Sequence, residues 1–371
     1  MLGLAAIALL ILLLWLLRPQ PAGPGAEGPA GYPIQVVTMI TGRGAAPEDL
    51  IRSPLGVAFD RDGNLWISNT GQSRVDVFRP DGTYLRSVGD IPGPGALYTP
   101  YGIVQDPATG RVYVADYAAR KVLVYSPTGS YVAHFPADDQ DLDVFGADGF
   151  TPYDVQVAGG RIVVSSNDGL YFFDQTGHVV ARWGFTYKHR NVRGVEIGMF
   201  NFPDAFVVDP ESGRLYVADT LNRRVVALGP DGRWLWVSGR PDAKGKIRGF
   251  WQLPRGIELG PDGNLYVVDT FRFDQKGMGT GHIVVLSPEG ELLSEFGRSG
   301  SDVGAFSFPE HIARDAGSDL WAIADRENHR VVVFRLVTPY PEVDDLQAPK
   351  YPKGFTRPTD VWATPSPSPV G

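Results

Sequence analysis

The sequence predicts an all-β fold, a six-bladed β-propeller of four-stranded antiparallel blades. Three observations predict it: a period of about fifty residues that occurs six times, short alternating apolar segments between turn residues within each period, and a high content of glycine and proline (45 and 31 of 371 residues). Repeats of this length are typical of propellers and solenoids. Many short strands joined by turns account for the glycine and proline better than long helices do.

Each of the six repeat units begins at a proline that is followed by an apolar strand. The prolines are Pro54, Pro100, Pro152, Pro203, Pro254 and Pro309. An Asp or Asn ends the second strand of each unit fifteen or sixteen residues later, at Asn69, Asp116, Asn167, Asp219, Asp269 and Asp325. In the fourth unit, apolar Leu215 and Val217 alternate along the second strand, which predicts a strand with one buried face.

The third and fourth strands of a unit are joined by a turn that keeps a fixed register. In the fourth unit the turn is "GPDG", where Pro230 presets φ and Gly232 tolerates a positive φ. Related turns read "RPDG", "SPTG", "DQTG" and "SPEG", and in all five units seven residues separate the turn glycine from the end of the fourth strand. This constant spacing predicts four strands per blade.

The sixth unit ends after its third strand, at "RVVVFRL", and has no fourth strand of its own. The segment Ile34–Gly42 precedes the first unit and reads as a fourth strand without its turn. We therefore expect this N-terminal strand to complete the sixth blade, which closes the ring and removes two exposed sheet edges. The propeller is predicted over residues 34–338, followed by a Pro-rich C-terminal tail over residues 339–371.

The N-terminal region is expected to attach the propeller to a membrane. Leu2–Leu17 is an uncharged run of 16 residues, and Arg18 and Pro19 end it. We interpret residues 1–18 as an uncleaved signal anchor that forms one transmembrane helix, with a removed signal peptide as the alternative. The Pro/Gly-rich residues 19–33 read as a semi-extended tether. The expected orientation places the propeller on the extracytoplasmic side of the cell membrane.

Composition and charge exclude several functions. The formal net charge is -8, and the 34 basic and 42 acidic residues are scattered along the chain, so nucleic acid is not expected as a partner. There is no cysteine, which rules out disulfides, thiolate metal ligands and a cysteine nucleophile. Sequence motifs for a serine-hydrolase elbow, an HExxH zinc helix and a phosphate-binding loop are absent as well.

The turn between the second and third strands carries a more specific motif. "DTLNRRV" (Asp219–Val225) and "DRENHRV" (Asp325–Val331) share the spacing D-x-x-N-x-R-V. In this spacing the carboxylate can cap the turn and pair with the basic side chain five residues later. The motif resembles the core of NHL repeats, and the resemblance covers Ile34–Leu336. Propellers of this family include sensor, RNA-binding and protein-binding modules and the peptide-amidating lyase, and lactonases have a similar shape. The resemblance therefore implies the fold and leaves the activity open.

The side chains directly after the blade-opening prolines are expected to converge at one mouth of the central channel. The candidate ligand site there comprises Tyr101, Tyr153, Asp154, Asp204, Arg255, Glu310 and His311, with Leu55 completing the ring. Carboxylates, a guanidinium, an imidazole and phenols together suit a polar ligand. The alternative is a set of polar residues that line a water-filled channel, as in any propeller.

Two metal hypotheses apply to the same mouth. The resemblance to the peptide-amidating lyase implies a zinc site with three histidines, but His311 is the only histidine in the predicted ring. The resemblance to lactonase-like enzymes implies calcium, which Asp154, Asp204 and Glu310 would bind through hard oxygen ligands unless Arg255 neutralises them. The sequence predicts no cofactor and keeps calcium as an alternative.

Four loops are candidate features outside the channel. Two basic loops join neighbouring blades and are expected to form one partner-binding basic face, with Lys188, Arg190, Arg193, Lys244, Lys246 and Arg248. Nearby Tyr187, Phe250 and Trp251 would support contact with an anionic polymer, a lipid headgroup or an acidic partner, and the alternative is a pair of solvated loops. The acidic stretch Pro136–Gly149 reads as a solvated loop, and Lys276–His282 reads as a flexible hairpin tip.

We interpret the chain as a membrane-anchored, extracytoplasmic NHL propeller that serves as a binding or scaffold module for a protein, peptide or glycan partner. One alternative is a metal-dependent lyase or lactonase-like enzyme whose site lies at the channel mouth. The other is a purely structural subunit of an envelope complex.

Overall fold

The computed structural model describes residues 33–146, 149–184, 198–238, 251–274 and 277–337. These residues form 24 strands in six antiparallel four-stranded sheets, which confirms the predicted six-bladed all-β propeller. The predicted anchor, the tether up to residue 32 and the C-terminal tail lie outside the described residues. Within the described part, the model contains no helix with the length and apolar character needed to span a bilayer.

Each blade runs outward from an innermost strand at the central channel. Blade 1 contains β2 (Gly56–Phe59), β3 (Leu65–Asn69), β4 (Arg74–Phe78) and β5 (Tyr84–Val88), and blade 2 contains β6 (Pro100–Gln105), β7 (Val112–Asp116), β8 (Lys121–Tyr125) and β9 (Tyr131–Phe135). Blade 3 contains β10 (Val155–Ala158), β11 (Arg161–Ser166), β12 (Gly169–Phe173) and β13 (Val179–Trp183). Blade 4 contains β14 (Pro203–Val208), β15 (Leu215–Asp219), β16 (Arg224–Leu228) and β17 (Trp234–Ser238). Blade 5 contains β18 (Pro254–Leu259), β19 (Leu265–Asp274), β20 (Gly277–Leu286) and β21 (Leu292–Gly297).

Blade 6 combines the two ends of the propeller. Its inner strands are β22 (Pro309–Arg314), β23 (Leu320–Asp325) and β24 (Arg330–Leu336), and its outermost strand is β1 (Ile34–Ile40). Strand β1 pairs antiparallel with β24, with Ile34 opposite Leu336. The innermost strands of neighbouring blades contact one another in order, and β22 contacts β2. The ring is therefore closed by the N-terminal strand, as the sequence predicted.

Short 3-10 helices add to the strands at a few connections. They are Pro47–Asp49, Thr70–Gln72, Leu142–Phe145 and Thr220–Asn222. Two of them, after β3 and β15, form the turn between the second and third strands of their blades. The stretch predicted as a flexible hairpin tip is instead largely regular strand, because β20 begins at Gly277 and pairs with β19 as far as Asp274.

The hydrophobic core lies between the blades. Six apolar clusters of described residues each join two neighbouring blades around the ring. In β15, Leu215 and Val217 pack towards blade 3, while Tyr216 and Ala218 pack towards blade 5. The prediction that this strand has one buried face was wrong, because a middle strand of a propeller blade is covered by a neighbouring blade on each side.

A buried acid at the end of the second strand holds each of two hairpins as the motif predicted. Asp219 is fully buried and its Oδ2 lies 2.6 Å from Nε of Arg224. Asp325 makes the same contact with Arg330 at 2.8 Å. In blade 2 the basic partner differs, because Lys121 contacts His134 instead of Asp116. The shared role of these acids is to accept backbone amides from the segment that enters the same blade, as Asp116 does for Thr99 at 3.0 Å.

Removal of β1 should unfold blade 6. We compare a chain that begins at residue 33 with one that begins at residue 43. The shorter chain loses Ile34, Val36 and Ile40, each at most 2% exposed, and leaves the edge of β24 unpaired. At roughly 1.5–3 kcal/mol per buried aliphatic side chain, the loss of unfolding free energy is on the order of 5 kcal/mol. Urea unfolding measures it, and equal midpoints for the two chains would show that β1 does not close the ring.

Candidate functional site

The strands that open the blades carry a local irregularity at the channel. In β6, β14, β18 and β22 the pairing register with the second strand shifts just after the opening proline. A bulge of this kind bends a strand and redirects its side chains. The first residue after each proline forms one ring, Leu55, Tyr101, Tyr153, Asp204, Arg255 and Glu310. The second residue after each proline is Gly56, Gly102, Asp154, Ala205, Gly256 or His311 in blades 1 to 6, and Ala205 packs in the core between blades 4 and 5.

One side of the channel mouth is a buried ion-pair network. Nη1 of Arg255 lies 3.2 Å from Oδ2 of Asp204 and 2.7 Å from Oε2 of Glu310. Arg326, which the sequence analysis did not select, donates from Nη1 to Oε1 of Glu310 at 2.9 Å. Burial raises the pKa of Asp204 and that of Glu310, and Arg255 opposes both shifts. Burial acts to lower the pKa of Arg255, but Asp204 and Glu310 together hold it above its ordinary value.

The other side of the mouth is aromatic. Tyr153 contacts Tyr101 at a ring-centroid distance of 5.6 Å, stacks on Tyr117 at 5.6 Å and packs against Phe202 at 4.1 Å. The guanidinium of Arg255 lies 5.9 Å from the centroid of Phe202 and so joins the two sides. Burial raises the pKa of Tyr101, and the charge of Asp204 adds to the shift. The Tyr101 hydroxyl is therefore within electrostatic reach of the ion-pair network.

Asp154 and His311 approach each other across the channel at this mouth. They come from blades 3 and 6, on opposite sides of the ring, and Oδ1 of Asp154 lies 3.9 Å from Nε2 of His311. Glycines leave space for them, since a Cβ at Gly102 would clash with Oδ1 of Asp154 and a Cβ at Gly256 would lie 2.8 Å from Cα of His311. The Asp154 carboxylate also accepts the backbone amide of Phe206 at 3.1 Å.

Burial shifts both titratable groups towards their neutral forms. It raises the pKa of Asp154 to about 7, partly opposed by the backbone amides of Phe206 and Val155. It lowers the pKa of His311 to about 4, with a smaller opposing effect from the backbone of Val57. Neither ring nitrogen of His311 has a partner at hydrogen-bond geometry. At neutral pH the imidazole is uncharged and the carboxyl is close to its midpoint.

Unpartnered polar atoms are concentrated at this site. Among the described residues, ten buried side-chain nitrogen or oxygen atoms make no hydrogen bond, and five of them belong to four channel residues. These five atoms are Oδ1 of Asp204, Nε of Arg255, Oε2 of Glu310 and both ring nitrogens of His311. Oε2 of Glu310 is close to Arg255 but outside hydrogen-bond geometry. Buried polar atoms are normally paired, so this concentration makes the channel mouth the candidate binding site among the described residues.

The same residues do not fit the metals that the sequence left open. Across the ranges that the model describes, no group of three or more His, Asp or Glu side chains is placed to hold a metal ion. For calcium, Arg255 lies between Asp204 and Glu310, and the oxygens of Asp154 accept backbone amides. For zinc, His311 is the only histidine at the mouth among the described residues. Hard cations need several free oxygen ligands, which this arrangement does not offer.

The structure brings all seven predicted channel residues into one connected site and adds Tyr117, Phe202 and Arg326. Tyr117 and Arg326 follow the acid that ends the second strand of blades 2 and 6. The equivalent residue in blades 1, 4 and 5 is a threonine. The hydroxyls of Thr70, Thr220 and Thr270 donate to the carbonyls of the next blade's Pro100, Pro254 and Pro309 at 2.6, 2.7 and 2.5 Å. In blade 3 the position holds Asp168, which accepts from the Tyr171 hydroxyl at 3.0 Å. Aligning the repeats at this position would therefore have singled out Tyr117, Asp168 and Arg326.

The loops give a mixed result. All six residues of the predicted basic face lie outside the described residues. Trp251, expected to support partner contact there, is instead fully buried between blades 4 and 5 and donates to Oγ of Ser238 at 3.0 Å. In the acidic loop, Asp138 is exposed and pairs with His134 at 3.0 Å.

The fold and the site together define a β-propeller with a polar and aromatic channel mouth. No protein-family model matches the chain. Among characterised proteins it is similar to peptidyl-glycine alpha-amidating monooxygenase B of Xenopus laevis, with 23% identity over 233 residues, or 60% of this chain and 26% of that protein. The chain therefore spans about a quarter of that relative's length.

Two solved structures share the architecture. A gluconolactonase from Xanthomonas campestris superposes with a TM-score of 0.57 and 16% identity over 86% of this chain and 99% of that chain. A streptogramin B lyase superposes with a TM-score of 0.52 and 13% identity over 80% of this chain and 97% of that chain. At these identities the likeness shows the propeller fold alone.

The raised pKa of Asp154 predicts a specific pH dependence of stability. The folded protein holds this proton more tightly than the unfolded chain, so the contribution of Asp154 is complete below roughly pH 4 and is lost as the pH rises through 7. In the wild type, ionisation of Asp154 should lower the unfolding free energy by up to ~4 kcal/mol between about pH 4 and pH 8. The variant Asp154→Asn should lack this decline. Urea unfolding across this range measures the slope. An unchanged slope in the variant would contradict the assignment.

Proposed function

We propose that the chain is an NHL-type propeller that binds a protein, peptide or glycan partner through its channel mouth. The observation that carries the proposal is the set of unpartnered buried atoms of Asp204, Arg255, Glu310 and His311. They lie beside an aromatic surface that remains accessible, since Tyr117 is 41% exposed. Apolar surface with a few convergent polar groups is the usual composition of a ligand site.

The proposal includes the place of the protein in the cell. Residues 1–18 act as a transmembrane anchor and residues 19–33 as a tether, which together display the propeller on the extracytoplasmic side. The apolar run and the Pro/Gly tract of the sequence support this part of the proposal. A partner reaching the mouth would therefore come from outside the cytoplasm.

The ion pairs at the channel mouth favour binding over catalysis. Arg255 and Arg326 hold both mouth carboxylates in ion pairs, so neither is a free nucleophile or base. A second candidate, a lyase or lactonase-like activity, is favoured by one observation, the approach of Asp154 and His311 across the channel. A carboxyl with a pKa of about 7 is suited to proton transfer near neutral pH.

The test compares partner binding by the full-length chain and by one triple variant. Asp204→Asn, Arg255→Gln and His311→Gln replace three of the four side chains that carry unpartnered atoms by uncharged amides, and no unpaired charge is left because Glu310 keeps Arg326. Fluorescently labelled protein is applied to arrays of glycans and of peptides. Partners of the wild type should lose at least about tenfold in affinity in the triple variant, as expected for two or more lost charge-assisted hydrogen bonds.

The matched control is Arg335→Gln, which removes an exposed ion pair with Asp319 away from the mouth. It should bind as the wild type does, and thermal unfolding checks that all variants are folded. Equal binding by the triple variant and the wild type would exclude the mouth as the site and favour the structural subunit. Chemical conversion of a bound compound, measured by mass spectrometry, would favour the enzyme.

A further inference from the structure

The charges of the mouth are balanced before any ligand arrives. Asp204 and Glu310 face Arg255 and Arg326, and every one of these four groups is in an ion pair. A cationic ligand would have to approach Arg255, and an anionic ligand would have to approach the two carboxylates. Like charges in a buried site oppose binding strongly. The mouth is thus built for a ligand without a net charge at the contacting group.

The unpartnered atoms form a mixed set of donors and acceptors. Oδ1 of Asp204 can accept, Nε of Arg255 can donate, and the neutral imidazole of His311 offers one of each. A hydroxyl group both donates and accepts, so several neighbouring hydroxyls satisfy such a set in one binding event. A buried polar atom left unpaired carries a desolvation penalty, which sets the preference for a polyhydroxylated ligand over an apolar one.

The aromatic side offers a flat surface next to these groups. Tyr117 is stacked on Tyr153 and keeps 41% of its surface exposed, whereas Tyr153 is 3% exposed. A ring that presents C–H groups on its face and hydroxyls on its edge matches an aromatic surface beside charged hydrogen-bonding groups. We propose that the mouth binds a neutral sugar ring of a glycan, stacked on Tyr117 and hydrogen-bonded by Asp204, Arg255 and His311. This inference rests on the proposed function.

The repeats support this assignment by internal comparison. In blades 1, 4 and 5 the residue after the second-strand acid is a threonine that bonds the next blade, as Thr220 does to the Pro254 carbonyl. In blade 2 the same position holds Tyr117, and in blade 6 it holds Arg326, and both point to the mouth. Blades 2 and 6 lack that interblade hydrogen bond. At the same position Tyr117 supplies the aromatic face and Arg326 supplies a second cation beside Arg255. Tyr117 and Arg326 are therefore specificity-determining residues of the sugar site.

The first experiment identifies a sugar, and the second measures its contacts. The labelled full-length chain is applied to an array of neutral glycans, acidic glycans, and acidic and basic peptides. We expect saturable binding to neutral glycans and weaker binding to their acidic analogues. The best neutral oligosaccharide is then titrated by calorimetry into the wild type and into Tyr117→Leu, Tyr117→Phe, Arg326→Gln and Ile34→Ala.

The variants separate a binding role from a structural one. Tyr117→Leu keeps apolar packing and should raise Kd at least tenfold, and Tyr117→Phe keeps the ring and should bind within about threefold of wild type. Arg326→Gln should raise Kd about tenfold. Ile34→Ala should lower Tm and leave Kd unchanged, because Ile34 is a buried side chain of β1, the outermost strand of blade 6, away from the mouth.

Three outcomes overturn the inference in different ways. If no neutral glycan binds but a peptide does, and its binding needs Asp204 and Arg255, the sugar assignment is wrong while the proposed function stands. If nothing on the array depends on the mouth residues, the proposed function fails as well. If Tyr117→Leu lowers Tm but leaves the Kd of a bound sugar unchanged, Tyr117 is structural and the stacking assignment is wrong.

Discussion

In five of the six blades, a buried aspartate or asparagine at the end of the second strand fixes where the innermost strand begins. Asp116, Asp219, Asp269 and Asp325 accept backbone amides from Thr99, Asn201, Leu253 and Ser307 at 3.0, 2.7, 2.7 and 2.7 Å. In blade 1 an asparagine does the same, since Asn69 accepts the amide of Arg52 at 2.8 Å. These amides lie just before the blade-opening prolines. These five side chains thereby place the following residues of their blades at one level of the channel. In blade 3, Asn167 instead accepts the hydroxyl of Tyr153 at 2.6 Å.

The scaffold and the site use different residues of the same repeat. Apolar positions of the strands form the cores between blades, while the position after each proline varies in chemistry from leucine and tyrosine to arginine and acid, and of these Tyr101 also packs against a core. The register shift at the start of the innermost strands separates the two functions, because it turns these residues away from the sheet. Polar side chains can therefore collect in the channel without disturbing the packing between blades.

The fold could be predicted from sequence because six repeat units share the same pattern of strands and turns. One further segment of the chain had the pattern of the strand that the sixth unit lacks. The site could be predicted only in part. The residues after the prolines could be predicted as site residues because they share one position in the repeat. Arg326 and Tyr117 could not, because they lie in hairpins and not in the innermost strands. Arg255 pairs with both Asp204 and Glu310, so these ion pairs connect three blades. A local sequence pattern does not predict contacts between residues so far apart in the chain. The sequence did not predict that β15 is buried on both faces. Alternation of apolar residues along one strand does not show that a neighbouring blade covers each of its faces.

The chemistry of the mouth is costly for a purely structural propeller. Replacing a buried ion-pair network by apolar side chains of similar size is often neutral or stabilising, so Asp204, Arg255 and Glu310 are not required to hold the disc together. Unpartnered buried atoms each cost about 1–3 kcal/mol. The six interblade cores can offset such a cost, but they do not explain why half of these atoms lie at one mouth. Polar groups kept at the expense of stability in one place are typical of a binding site, and this favours a ligand over a spacer role for the channel.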